Sequence, residues 1–90
     1  MSIYVIEVPD SHLRPGLWLE LPAGTDDFLV QFSADTESRA RLLLDDTGRP
    51  VLRMGGYMTA TGAVVDEAVW TVSESIRDGD RVRLRIGHTL

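Results

Sequence analysis

Apolar and polar residues alternate at every second position along much of the chain, and this alternation constrains the fold more than any other feature. From Leu17 to Leu21 leucine alternates with Trp18 and Glu20, and from Arg81 to Ile86 arginine alternates with aliphatic residues. Successive side chains of a β-strand point to opposite faces. The pattern therefore predicts half-buried strands with one face in the core.

Short segments rich in proline, glycine and aspartate separate these runs. They are Pro15-Gly16, Pro22 to Asp27, Asp45 to Pro50 and Arg77 to Asp80. Such residues favour tight turns. About seven short strands at this spacing predict an all-β fold: one small antiparallel β-sandwich over residues 1–90.

Three segments are ambiguous. Ala34 to Ser38 is polar and is expected to be a loop or one helical turn, so the fold would contain at most one short helical turn, at Asp35 to Ser38. Gly55 to Gly62 is expected to be a loop or a bulged edge strand. Glu67 to Ile76 has enough length for a helix, but its valine, tryptophan and threonine content favours a strand.

The composition excludes several classes of protein. Fourteen acidic residues against nine arginines give a formal net charge of -5. There is no cysteine and there are only two histidines, so we expect no disulfide, metal site or cofactor. The apolar runs are too short for a membrane helix and the N-terminus lacks a signal-peptide pattern, which favours a cytoplasmic protein without membrane contact. The absence of lysine suggests a GC-rich bacterium or its phage.

The arginine stripe (Arg81, Arg83 and Arg85) places three guanidiniums on one strand face, and Arg39 and Arg41 form a similar pair. Arginine suits phosphate and carboxylate ligands, which makes the stripe a candidate anion site. The acidic balance argues against direct nucleic-acid binding. A solvated face paired with carboxylates is the favoured interpretation.

Two acidic motifs suggest chemistry that their surroundings do not support. Asp46-Thr47-Gly48 resembles the triplet of viral-type aspartic proteases, but Arg49-Pro50 follows where a small residue is usual. The acidic pairs lack the spacing of a calcium loop. We therefore expect a hairpin turn here and a protein that is not an enzyme.

Three segments between Ser38 and Gly87 resemble forkhead-associated domains: Ser38-Arg39, DDTGR and IRDGDRVRLRIG. The resemblance implies a β-sandwich that binds phosphothreonine peptides. The binding-loop Gly-Arg and Asn-Gly pairs of that family are missing, so the implied relative would be degenerate and would not bind phosphate.

Some apolar residues lie out of phase with the alternation. Trp18 and Leu29 fall on faces that are otherwise polar, and Tyr57 and Met58 lie in the glycine-rich segment. Aromatic residues and methionine are enriched in partner-binding surfaces. These four residues are the predicted apolar contact surface, with burial of Trp18 in the core as the alternative.

The sequence favours a small non-catalytic binding or regulatory protein that acts through a protein–protein surface as an interaction or assembly module. Its partner is expected to be another protein or a second copy of the chain, in a homo-oligomer. The alternative is an acidic inhibitor of the toxin-immunity or anti-CRISPR-like kind, which covers a basic site on its target. Its candidate contacts are the acidic residues Asp26, Asp27, Asp45, Asp46, Asp66 and Glu67.

Overall fold

The structure, a computed structural model, describes residues 3–8, 13–34, 36–58 and 61–90. In these ranges the chain forms nine strands and no helix. The strands are β1 (Tyr4–Glu7), β2 (Trp18–Pro22), β3 (Asp27–Ser33), β4 (Thr36–Leu44), β5 (Pro50–Met54), β6 (Tyr57–Met58), β7 (Val64–Val65), β8 (Ala68–Asp78) and β9 (Arg81–Thr89). The all-β prediction is confirmed. Over the described residues no helix is long and apolar enough to cross a membrane.

Seven of the strands form one continuous sheet in the order β1-β3-β4-β5-β8-β9-β2. Strand β1 runs parallel to β3, and every other pairing in this sheet is antiparallel. The sheet curves until it is nearly closed into a barrel-like shape, with β1 and β2 at its two ends. The remaining two strands, β6 and β7, pair with each other in a small separate sheet.

The interior of the curved sheet is filled by the apolar half of each alternating run. In β2, Leu19 and Leu21 are buried while Trp18 and Glu20 are exposed, as the period of two predicts. The largest fully buried side chains are Phe28, Leu21, Leu52, Leu84, Ile86 and Val30. Trp70 packs half-buried against this core. Burial of these side chains is the main source of stability for so short a chain.

The polar segment that ends at Ser38 forms neither a loop nor a helical turn over residues 36–38, so the expectation is wrong there. Asp35 lies outside the described residues, and Thr36 to Ser38 begin β4. Thr36 and Ser38 are buried although both are polar, and the Ser38 hydroxyl donates a 2.6 Å hydrogen bond to the carbonyl of Gly55. That bond satisfies the Ser38 hydroxyl inside the protein, so this polar residue can occupy an inward position of the strand.

The segment from Glu67 to Ile76 is a strand, as its β-branched residues predict, since β8 runs from Ala68 to Asp78. The strand continues through Arg77 and Asp78, so the turn to β9 is shorter than expected. In Gly55 to Gly62 only Tyr57 and Met58 form a strand, and residues 59–60 lie outside the described part of the chain.

The turn between β4 and β5 is organised by one carboxylate. Asp45 Oδ1 accepts hydrogen bonds from the backbone N–H of Thr47 and of Arg49, each at 2.9 Å, and from the Thr47 hydroxyl at 2.6 Å. Gly48 has a φ of 81°, which L side chains rarely adopt. These hydrogen bonds lower the pKa of Asp45, the Thr47 hydroxyl contributing most. The segment is therefore a hairpin turn, as predicted.

Candidate binding site at an open seam between two sheet edges

The two end strands of the main sheet face each other across one groove, which we call the seam. Residues 4–8 line one side of the seam and residues 17–20 line the other, around a volume of about 360 Å³. Within the described residues no pairing joins β1 to β2. Their Cα atoms lie more than 8 Å apart at almost every position. Hydrogen-bonded neighbours would lie about 4.8 Å apart.

The backbone of β2 presents free polar groups to the seam. At its ends, Ile86 N donates to Leu17 O and Ala23 N donates to Asp80 O, both at 2.8 Å. Bonded pairs recur at every second residue of an antiparallel ladder, so Leu19 and Leu21 also bond to β9. The N–H and C=O groups of Trp18 and Glu20 therefore point into the seam. Pro22 has no N–H, which limits strand pairing beyond this point.

Strand β1 presents a matching row of backbone N–H and C=O groups from the opposite side of the seam. Val8 N donates a 2.9 Å hydrogen bond to Gln31 O of β3. Alternation along the parallel ladder then directs the backbone groups of Tyr4 and Ile6 toward β3. The backbone groups of Val5 and Glu7 consequently face the seam. Among the described residues, each side of the groove thus offers donors and acceptors without a strand partner, over a similar length.

Exposed apolar side chains border the seam on the outer surface. Val5 is 44% exposed, Ile3 is 42% exposed and Trp18 is 37% exposed. Leu29 lies beside Val5 in the register of β3 with β1 and is half-buried. Of the four predicted apolar contact residues, Trp18 therefore lines the seam, and Leu29 lies one strand away from it on the opposite side, beside Val5.

The other two predicted apolar residues lie elsewhere. Tyr57 stacks on Phe32, with ring centroids 4.6 Å apart, and packs against the core. Burial raises the pKa of the Tyr57 hydroxyl. Met58 is 61% exposed and pairs with Val64 in the small sheet. The structure therefore does not bring the four residues together into one surface.

Sequence reasoning missed Ile3 and Val5. The signal was available, because the run from Ile3 to Ile6 is apolar on both faces of a strand, unlike the alternating runs elsewhere. A strand that is apolar on its outer face as well has a surface still to be covered.

The charged side chains that line the seam are carboxylates, and the Arg81 guanidinium reaches one end of it from β9. Among the described residues that line it, the ionisable side chains apart from Tyr4 are those of Glu7 and Glu20, both exposed. Within the described ranges neither forms an ion pair. Arg83 lies opposite Glu20 in the register, but its guanidinium carbon sits 5.1 Å from the ring centre of Trp18 instead. Such cation–π contacts hold arginine over aromatic faces.

One hydrogen bond spans the lower end of the seam. Arg81 Nη1 of β9 donates to the Tyr4 hydroxyl of β1 at 3.3 Å, which raises the pKa of Arg81. The guanidinium reaches past β2, which lies between β9 and the seam in the sheet order. This contact joins β1 to β9, the neighbour of the end strand β2.

A third free edge lies along β8, from Ser73 to Asp78, because β5 pairs only with Ala68 to Thr71. This edge carries Glu74, Arg77 and Asp78, and the register with β9 shifts just before it. Charges and bulges are the devices by which sheets protect their edges from pairing. The seam, by contrast, has an uncharged run from Ile3 to Ile6 on one side.

The arginine stripe occupies the outer face of β9, flanked in register by β2 and β8. Among the described residues the stripe forms no ion pair, although Glu74 lies opposite Arg85 and Asp78 opposite Arg81. Arg39 and Arg41 lie on β4, which β5 and β8 separate from β9, so the five arginines do not form one patch.

The six acidic candidates also divide. Four of them, Asp26, Asp27, Asp45 and Asp46, lie where β3 begins and β4 ends, whereas Asp66 and Glu67 precede β8 at the opposite end of the sheet. Arg39 binds Asp27 through two hydrogen bonds and lowers its pKa. Arg53 pairs with Glu67. An acidic surface remains a prediction. Three of its six residues, Asp27, Asp45 and Glu67, already accept hydrogen bonds from side chains or backbone of this chain.

The described residues contain no group of three or more potential metal-ligating side chains. Comparison with known proteins provides no further information on the site: no protein-family model matches the chain, and neither a curated protein nor a solved structure is similar to it. The resemblance to forkhead-associated domains therefore gains no support from these comparisons.

Proposed function

We propose that this protein is a small non-catalytic binding module, and that an extended segment of a partner protein binds by strand addition in the seam. The observation that carries this proposal is that two sheet ends face each other with unpaired backbone groups. Extended peptides bind exposed sheet edges in this way, with main-chain hydrogen bonds supplying affinity and side-chain contacts supplying specificity.

The separation of β1 and β2 leaves their facing backbone groups available to a third strand. One strand inserted between two others needs about 9.6 Å between its neighbours, twice the usual spacing. The Cα atoms of β1 and β2 lie more than 8 Å apart at almost every position, which exceeds the spacing of bonded neighbours and sets a lower limit on the width of the seam. A direct bond between β1 and β2 would require the sheet to close by several ångströms.

The test is a selection of random displayed peptides on the protein, followed by affinity measurements on two variants of one residue. Glu20→Pro removes a backbone N–H that points into the seam, at an edge position where proline is tolerated. Glu20→Gln loses the same carboxylate but keeps the N–H. Far-UV circular dichroism of both variants checks that the fold is retained.

We expect selected peptides to bind the wild type and Glu20→Gln, and to bind Glu20→Pro at least about tenfold more weakly, because one main-chain hydrogen bond is lost. Peptides that bind both variants equally well, or a selection that yields no binder, would refute strand addition at this edge.

A further inference from the structure

We infer that the segment recognised at the seam carries basic residues, alternating with apolar ones. This inference rests on the proposed function and adds the chemistry of the partner. It follows from the two kinds of side chain that an inserted strand would meet, one kind on each face.

The inner face of the seam is apolar. Ile6, Leu19 and Val8 turn toward the core, and Val8 and Leu19 are almost completely buried. A strand between β1 and β2 would place every second side chain beside these residues. Apolar side chains at those positions would extend the existing core, whereas a charged side chain there would lose its hydration without a partner.

The outer face carries the negative charge. Glu7 and Glu20 project from opposite sides of the seam, since both alternate with inward-facing residues and both are exposed. An inserted strand would place its outward side chains between these two carboxylates. Opposite charges on neighbouring strands stabilise a sheet and like charges destabilise it.

The nearest guanidiniums offset this charge only in part, because Arg81 interacts with Glu20 at a distance too long for an ion pair. Arg83 is held over Trp18 and Arg81 is hydrogen-bonded to Tyr4, and within the described residues neither forms an ion pair with Glu7 or Glu20. Lysine or arginine from a partner would supply the missing cations. The negative net charge of the whole chain favours the approach of such a segment.

The test compares three capped peptides in which valine alternates with lysine, glutamine or glutamate, each with a fluorescent label for anisotropy titration. We expect the lysine peptide to bind about tenfold more tightly than the glutamine peptide, and the glutamate peptide to bind most weakly. The preference should decrease as salt is added, because both carboxylates are exposed.

Matched double variants locate the effect. Glu7→Gln with Glu20→Gln removes both seam carboxylates, and Glu37→Gln with Asp46→Asn removes two exposed carboxylates away from the seam. Both double variants have the same net charge. We expect the first to remove the preference for lysine and the second to retain it.

The outcomes separate this inference from the proposed function. If the three peptides bind equally and Glu20→Pro weakens all of them, strand addition stands and the basic partner is wrong. If both double variants lose the preference alike, the effect comes from net charge and the inference is wrong. If no peptide binds, both proposals fail. If the free protein sediments as a dimer and Glu20→Pro as a monomer, the occupant is a second copy of this chain, which also overturns the inference.

Discussion

Replacement of Gly87 by alanine tests the close packing of the β8–β9 hairpin. A Cβ atom at Gly87 would lie 2.2 Å from the Thr71 hydroxyl oxygen and 3.2 Å from the Thr71 carbonyl oxygen. The Thr71 hydroxyl accepts a 2.9 Å hydrogen bond from His88 N–H and is placed to donate to His88 O at 3.2 Å. The added methyl group would therefore force the threonine side chain out of position.

The expected loss in the free energy of unfolding follows from those contacts. Loss of two hydrogen bonds costs about 0.5–1.5 kcal/mol each, and overpacking adds about 1–3 kcal/mol where the neighbour cannot move freely. Because Thr71 is partly exposed and can rotate, we take the lower end. We expect Gly87→Ala to lower the free energy of unfolding by about 2 kcal/mol.

A double-mutant cycle identifies the cause. Thr71→Ala removes the hydroxyl that the new methyl group would strike, so in that background Gly87→Ala should cost less than about 1 kcal/mol. Gly55→Ala is the matched control, because a Cβ there would make only ordinary contacts at 3.6 Å. It should change stability by less than about 1 kcal/mol.

The assay is urea denaturation followed by tryptophan fluorescence, with the slope of the transition compared between variants. An equal cost of Gly87→Ala in both backgrounds would refute the steric argument. So would a cost for Gly55→Ala as large as that for Gly87→Ala.

Three further predictions concern the backbone amides of β2, the packing of the core and the loss of stability at acidic pH. In amide hydrogen exchange by NMR, Trp18 and Glu20 should exchange faster than Leu19, which bonds to β9, and equal protection would contradict the free edge. Leu52→Ala should lower the free energy of unfolding by about 2–5 kcal/mol in denaturant titrations, because the side chain is fully buried; a loss below 1 kcal/mol would contradict its place in the core. Folding lowers the pKa of Asp45. The Asp45 carboxylate therefore stabilises the fold at pH values above the pKa that Asp45 has in the unfolded chain, and this stabilisation is lost as pH falls through its pKa in the folded protein. The difference in melting temperature between wild type and Asp45→Asn should therefore shrink as pH falls from about 5 toward about 2, and a constant difference would contradict this.

Local patterns predicted those parts of the fold that depend on a few neighbouring residues. The alternation fixed which face of β2 is buried, and Asp45 with Gly48 fixed the hairpin turn. The same rules failed at Thr36 and Ser38, because the hydrogen bond from Ser38 to Gly55 joins residues distant in sequence. A run of polar residues predicts a loop unless a hydrogen-bond partner elsewhere in the sequence is known.

The candidate site was only partly predictable for a related reason. Trp18 and Leu29 were identified by their departure from alternation, which is a local signal. Their position around one seam depends on the sheet order, in which β1 pairs with β3 and β2 pairs with β9. No residue near Trp18 in the sequence indicates that its strand ends the sheet.

The pairing of β2 with β9 also has a consequence for the order of events during synthesis. Trp18 to Pro22 pair with Arg81 to Arg85, so β2 emerges from the ribosome long before its neighbour exists. Until then Leu19 and Leu21 are exposed on a strand with two free edges. Such long-range pairing slows folding and lengthens the time at risk of aggregation. Chains that lack β9 would leave β2 permanently unpaired, and we expect them to be cleared or to aggregate rather than to accumulate as folded fragments.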